Sequence, residues 1–264
     1  MSYFENTGRN FRRGAGESVF VMRLLKSFLA LSTLALTLLA AEPARKPVLL
    51  ELFTSEGCSS CPPADRLLEQ LDRAQPVAGA ELIVLSEHVD YWDGSWVDPF
   101  SQKKFTLRQQ SYVEQFRLGS GYTPQLVVDG HSEMVGGNAT QARAAIERVL
   151  KDQKLPIALT NLARNGKKLT FHVEFEAGTN GVTLMAALAN DEMTSQVARG
   201  ENAGRTLKHV AVVRNLRSLG NLAPGAEFKK DLDFAVEGEG AWRVVVFAQD
   251  RATGRIVGVA QRRL

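Results

Sequence analysis

Hydrophobic and polar positions follow two different rhythms along this chain, with the change near Lys151–Pro156. In the first part, short apolar runs alternate with helical stretches. Pro47–Phe53 reads as a buried strand, because four to eight continuous apolar residues bounded by turn residues suit a strand covered on both faces. A loop from Thr54 to Gly57 follows. A helix is then expected from about Cys61 to Asp72, with Leu67, Leu68 and Leu71 on one face. Glu81–Ser86 predicts a second strand. Asp98-Pro99 reads as a cap and a first-turn proline, opening a helix that runs to about Leu118 and ends at Gly119. Gln125–Val128 and Ser132–Val135 flank Asp129-Gly130, a hairpin signal. Asn138 or Thr140 caps a last helix that ends at Leu150. The order is βαβα, a ββ hairpin, then α.

The second part alternates with period two. Leu169, Phe171, Val173 and Phe175 are apolar, with Thr170, His172, Glu174 and Glu176 between and after them. Further strands are predicted at Ile157–Ala163, Val182–Ala189, Leu207–Leu219, Phe228–Phe234, Trp242–Ala248 and Arg255–Arg262. Asn180-Gly181, Gly220-Asn221, Pro224-Gly225 and Thr253-Gly254 supply turns. So many short strands in succession predict a β-sandwich.

The chain ahead of these elements reads as an address. Met22–Lys26 is a short basic start, and Ser27–Ala41 is uncharged and apolar. Fifteen residues fall short of the ~20 that a spanning helix needs, and Ala40-Ala41 ends the run with small side chains. A secretory signal is expected, although Leu39 stands where a small residue is preferred; an uncut membrane anchor is the alternative. Residues 1–21 suit neither signal nor domain, so Met22 is the expected start. The expected organisation is a leader at 1–41, an α/β domain at 42–153 and a β-rich domain at 154–264.

Charge and composition narrow the function. The chain has 264 residues, 44% hydrophobic, with a net charge of +3. That excess lies in the leader, where five basic side chains face two acidic ones. The remainder is balanced, so no basic footprint for nucleic acid is expected. Membrane contact is expected only through the leader, if it stays uncut. Two cysteines are too few for a disulfide-stapled scaffold or a four-thiolate zinc site. No GxGxxG loop, P-loop, HExxH helix or nucleophile elbow is present.

The two cysteines carry the candidate chemistry. Cys58-Ser59-Ser60-Cys61 joins a predicted buried strand to a predicted helix. A thiol at a helix N-terminus meets unpaired N–H groups and the positive end of the helix dipole, which favour the thiolate. Cys58 is expected to attack and Cys61 to resolve the mixed disulfide. Pro62 and Pro63 suit a first helical turn, where a missing N–H costs nothing. The plain alternative is a structural bridge. Closing so short a loop stabilises by only about 2 kcal/mol in the chain-entropy model, which makes it a poor staple.

Strand, CxxC, helix, then βα and Tyr122-Thr123-Pro124 before a hairpin and helix resembles the thioredoxin fold over about Pro47–Leu150. The resemblance implies a cis-proline at Pro124, a backbone at Thr123 that pairs with a bound peptide, and a buried proton-accepting acid at Glu51. Ser59-Ser60 departs from the familiar middle pairs, which leaves the redox direction open. The strings FTSEGCSSCPPAD, EHVDYWDGSWVDPF, YTPQLVVDG and RGENAGRTLKHV are more specific. They resemble the secreted thioredoxin-like family called domain of unknown function 1223, and span both parts. That resemblance implies a thioredoxin-like domain followed by a β-rich one, and no established reaction.

Other residues extend the picture. His88 and Asp90 follow the second strand, at the sheet end where fold analogy places the cysteines. His88 is a candidate proton carrier, or a third ligand beside Cys58 and Cys61 for copper or zinc. A loop histidine without chemistry is the alternative. Tyr91, Trp92 and Trp96 line a substrate groove or cover the core; core cover is the expected role. Arg199–Arg205 and His209 form a polar cluster expected to brace a loop or dock the second domain on the first, with anion binding as the alternative. His131 and His172 are expected at the surface. Gly136-Gly137-Asn138 is expected to be a turn and cap.

Together these readings point to an exported, periplasmic or secreted, thiol–disulfide oxidoreductase. Its partners are protein thiols or disulfides and an unidentified redox partner, with no cofactor. The alternatives are a copper- or zinc-delivery protein, and a binding module with a structural disulfide.

Overall fold

The computed structural model describes residues 1–3, 8 and 45–264. The basic start, the apolar run and the alternative start at Met22 lie outside the described residues. No helix among the described residues is long and apolar enough to cross a membrane.

Residues 45–264 form one compact unit, and the expected junction at 153–154 lies inside it. The elements run β1 (Lys46–Thr54), α1 (Pro62–Ala74), β2 (Ala80–His88), a 3-10 turn (Asp90–Trp92), α2 (Lys103–Phe116), β3 (Gln125–Val128), β4 (Ser132–Val135) and α3 (Ala139–Val149). Seven strands follow: β5 (Ile157–Asn165), β6 (Lys168–Glu176), β7 (Val182–Gln196), β8 (Thr206–Leu222), β9 (Glu227–Ala235), β10 (Trp242–Asp250) and β11 (Ile256–Arg263).

An eight-stranded sheet of mixed direction, in the order β11-β10-β7-β8-β2-β1-β3-β4, takes strands from both parts of the chain. β1 and β2 are parallel, β3 is antiparallel to β1, and β4 closes the hairpin. The two parts join where β8 runs parallel to β2, with Ser86 opposite Val212. A second, antiparallel sheet has the order β5-β6-β9.

Period-two alternation sorts the β1 side chains. Val48, Leu50 and Leu52 pack with Ala64, Leu68 and Leu71 of α1 and with Ala142 and Ile146 of α3. Leu49 points the other way, with Ile83, Leu85 and Phe105 of α2. Phe53 joins Tyr112 of α2 and Val127. β1 is therefore buried on both faces, as its apolar run predicts, with Glu51 the one charged residue within it. In β6, Leu169, Phe171, Val173 and Phe175 are buried together with Leu184, Leu188, Val244 and Val246 of β7 and β10. The three-stranded sheet thus shares a core with the large one.

Three local expectations change. Asp98 does not cap α2, which starts at Lys103 after Gln102; the Asp98 carboxylate is used elsewhere, as described below. α2 ends at Arg117, whose φ of 56° supplies the left-handed stop expected of Gly119. β7 and β8 run past their predicted limits to Gln196 and back to Thr206, bringing residues 197–205 to the end of β1.

Candidate functional site

Cys58 and Cys61 sit in the loop between β1 and α1 and are joined by a disulfide. Cys61 occupies the N-cap of α1, where its carbonyl accepts from the N–H groups of Ala64 (2.8 Å) and Asp65 (3.1 Å). Pro62 and Pro63 fill the first turn, where no N–H is missed. Both cysteines are fully buried, whereas Ser59 and Ser60 between them are exposed. The Ser60 hydroxyl lies 3.3 Å from the Cys58 sulfur.

The Thr123–Pro124 peptide bond is cis and leads into β3. Trp92 connects it to the cysteine loop. Its indole N–H donates to the Thr123 hydroxyl at 2.7 Å. A Cβ on Gly57 would lie 3.0 Å from the Trp92 carbonyl oxygen and 3.1 Å from its Cβ, so glycine lets the two segments approach closely. Tyr91 and Trp92 are exposed beside the loop, 47% and 36%, instead of covering the core. Trp96 turns inward and donates its indole N–H to Glu56 Oε2 at 2.8 Å.

The polar segment before β8 closes over the same loop. Asn202 is fully buried, and its side-chain amide donates to the carbonyls of Glu56 (2.8 Å) and Cys58 (2.9 Å). Glu201 accepts the Ser59 N–H at 3.0 Å. Arg205 donates to the Asn202 side-chain oxygen at 3.0 Å. The cluster therefore docks on the cysteine loop.

Behind the loop lies a buried group of ionisable side chains. His88 Nδ1 is 2.7 Å from Asp98 Oδ2, which also accepts the Glu56 N–H at 2.8 Å. His209 of β8 stands edge-on to His88, ring centres 4.7 Å apart. His209 lies 3.4 Å from Glu56 Oε1 and 3.7 Å from Asp65 Oδ2, at ion-pair distance but without hydrogen-bond geometry. Thr54 donates to Asp65 at 2.9 Å, and the Ser195 hydroxyl donates to Glu56. Both nitrogens of His209 and Nε2 of His88 lack a hydrogen-bond partner among the described residues.

Electrostatics sort these groups. Burial pushes the Asp98 carboxyl up, but His88 and two backbone N–H groups outweigh it and hold it at about 2. Burial raises Asp65, and the nearby histidines and Thr54 only partly offset this. Burial alone lowers His209; Glu56, Asp65 and Asp98 overcome it and raise the imidazole. The cluster thus holds an ionised acid, a proton-favouring acid and a cation-favouring imidazole within a few residues of the disulfide.

Glu51 is buried as expected, but it does not join the cysteines. It lies on the α2 side of β1, with Oε1 2.5 Å from Arg108 Nε and Oε2 accepting from Tyr112 at 2.5 Å. α1, capped by Cys61, packs on the opposite face. Glu87 stands beside that pair, 3.7 Å from Arg108, and burial followed by the Glu51 charge raises its carboxyl well above the usual range. His88 is brought to the site, with Nδ1 committed to Asp98. Among the described residues, no group of three His, Cys, Asp or Glu side chains forms a metal-ligand set.

Sequence reasoning missed Glu56, Asp65 and Asp98 as parts of this site, whereas Asn202 lies in the cluster expected to brace or dock. Asp65 had a local signal, since position i+4 from Cys61 lies on the same helix face. The others meet only through tertiary pairing.

The fold is similar to that of the crystal structure of protein AGR_C_4864 from Agrobacterium tumefaciens, at 23% identity and a TM-score of 0.65. The likeness covers 84% of this chain and 95% of that one, and speaks to fold alone. A β-glucosidase from Kluyveromyces marxianus matches at 12% identity over 42% of this chain and 14% of its own, with a TM-score of 0.23. No curated protein matches the chain. The family model described as a protein of unknown function (DUF1223) matches residues 49–249, and the chain belongs to that family.

Proposed function

We propose that this protein is an exported, thioredoxin-like thiol–disulfide oxidoreductase that works through Cys58 and Cys61. The observation that carries the reading is the disulfide at the β1–α1 junction, with Cys61 at the helix N-cap. A helix N-terminus stabilises the thiolate that exchange requires. The order β1-α1-β2-α2-β3-β4-α3, with parallel β1–β2 and a proline opening β3, supports a thioredoxin-like module. The remaining strands are read as a β-sandwich-like extension whose 197–205 segment guards the cysteines.

A substrate thiolate attacks Sγ of Cys58, a new S–S bond forms, and the Cys58–Cys61 bond breaks. Cys61 leaves as a thiolate and takes up a proton. A second substrate thiolate then displaces Cys58, so two electrons pass from the substrate dithiol to the pair. An external disulfide partner accepts them in turn. Run backwards, the same steps reduce a substrate disulfide. The leader reading supports a location outside the cytosol, where such pairs operate.

The assay is disulfide exchange on reduced, unfolded protein. Cys58→Ser is expected to abolish it, and Cys61→Ser, offered a substrate disulfide, to accumulate the mixed disulfide on Cys58. Full activity of Cys58→Ser overturns the assignment. The complete burial of both cysteines favours a second reading, a binding module with an inert bridge. That reading predicts no exchange by wild-type protein.

A further inference from the structure

The two prolines that open α1 leave the helix intact, but they change what its N-terminus offers the cysteines. Pro62 and Pro63 hold the first two helical positions and carry no N–H. The next two N–H groups, of Ala64 and Asp65, both donate to the Cys61 carbonyl, at 2.8 and 3.1 Å. The Cys61 N–H donates to the Cys58 carbonyl at 3.2 Å. The helix therefore offers the Cys58 sulfur its dipole, and none of these N–H groups is free to bind it.

Neighbouring side-chain donors are engaged as well. The Asn202 amide serves two carbonyls, Trp92 donates to Thr123, and Trp96 donates to Glu56. Of the charged groups around the loop, Arg205 is turned to Asn202 and Glu201 holds the Ser59 N–H. Behind it, Glu56, Asp65 and Asp98 share His88 and His209. Cys58 is fully buried, so a thiolate there also lacks water, and a buried charge without a partner is costly.

One donor does reach the sulfur. The Ser60 hydroxyl lies 3.3 Å from Sγ of Cys58. That sulfur carries no hydrogen in the disulfide, so the hydroxyl is the donor. Ser60 is itself exposed, so its identity is not set by packing.

We propose that Ser60 is a catalytic residue of the exchange, whose hydroxyl donates to Cys58 Sγ and stabilises the thiolate formed there. This rests on the exchange reading above. When the second substrate thiolate attacks the substrate sulfur of the mixed disulfide, the bond to Cys58 breaks and its electron pair stays on Sγ. Ser60 donates a hydrogen bond to that anion and gives up no proton. A hydrogen bond to a charged atom is stronger than one to a neutral sulfur, so the contact favours the reduced pair over the disulfide. Ser60 thereby makes the pair a stronger oxidant.

The test follows alkylation of Cys58 by iodoacetamide against pH, on the full chain in its reduced form, with the site read by peptide mass. Ser60→Ala is expected to move the midpoint up by about one pH unit, as loss of a charge-assisted bond requires. It is also expected to shift the equilibrium with glutathione about tenfold toward the disulfide, a potential about 30 mV more negative. Ser60→Thr, which keeps a hydroxyl, is expected to restore the midpoint. An unchanged midpoint in Ser60→Ala overturns the proposal, and so does a Ser60→Thr midpoint that matches that of Ser60→Ala. Absence of exchange by wild-type protein, with the midpoint still moved by Ser60→Ala, overturns the exchange reading and keeps the hydroxyl–thiolate bond.

Discussion

Asn202 donates its side-chain amide to the carbonyl of Cys58 at 2.9 Å, across a separation of 144 residues. The same amide reaches the Glu56 carbonyl, so one buried side chain satisfies two acceptors of the cysteine loop. Asn202→Ala leaves the Glu56 carbonyl unpaired and the Cys58 carbonyl with only the Cys61 N–H, at a cost of about 1–3 kcal/mol. Because both sulfurs are buried, loosening this clamp is also expected to speed disulfide reduction by dithiothreitol severalfold. Chemical denaturation and timed alkylation check the two effects. An unchanged reduction rate in a destabilised variant removes the guarding role of the 197–205 segment.

The pH dependence of stability has two limbs. Asp98 titrates near 2, below the unfolded value of about 4. Its contribution, on the order of 2 kcal/mol, is complete above about pH 4 and is lost as the pH falls through 2. His209 is raised above the ordinary imidazole range, so its contribution is present at lower pH and is lost as the pH rises through that raised value. Burial raises Asp65, so its contribution is also lost as the pH rises. Urea midpoints from pH 2 to 9 are expected to show both limbs. Asp98→Asn flattens the acid limb, and His209→Gln flattens the other.

Gly136 sets how closely Pro124 approaches α1. A Cβ there would lie 2.7 Å from Leu52 Cδ1, 3.0 Å from Ala64 Cβ and 3.2 Å from Pro124 Cβ. Gly136→Ala is expected to cost about 1–3 kcal/mol through overpacking. It is also expected to lower the rate of disulfide exchange, because Pro124 is among the atoms that must move. Unfolding midpoints and the exchange assay together check this.

Arg243 of β10 binds both oxygens of Asp72 of α1 at 2.9 Å, and Asp191 at 2.5 Å. Arg243 is 1% exposed, and its removal leaves the buried Asp72 carboxylate with only Arg263, at 2.7 Å from Oδ1, and takes the guanidinium from Asp191. Arg243→Met is expected to cost about 3–5 kcal/mol, and a further Asp72→Asn to recover part of it. Urea midpoints of the single and double variants read this directly.

Where the sequence was informative, a local pattern matched a local structure. The apolar run at Pro47–Phe53 became β1, Asp129-Gly130 turned the β3–β4 hairpin, and Asn138 caps α3 by accepting the Gln141 N–H. The alternation from Leu169 to Phe175 became the buried face of β6. Asp98 shows the opposite case. Its Asp-Pro pattern suits a helix cap, but its partners are Glu56 and His88, 42 and 10 residues away. Nothing local announces them. Likewise, β8 pairs with β2 at Ser86 and Val212, and this long-range pairing, with the β7–β8 ladder, brings His209 and Asn202 to the cysteines. Alternation correctly set Glu51 on the face of Leu49 and Phe53, but it could not show that Arg108 and Tyr112 occupy that carboxylate.

The central claim is that Cys58–Cys61 exchanges with other thiols, and its reduction potential tests this most directly. The protein is equilibrated with glutathione buffers and the thiols are trapped by alkylation. A value between about −120 and −270 mV, the range of exchange catalysts, is expected. A value below about −300 mV marks a structural bridge and contradicts it.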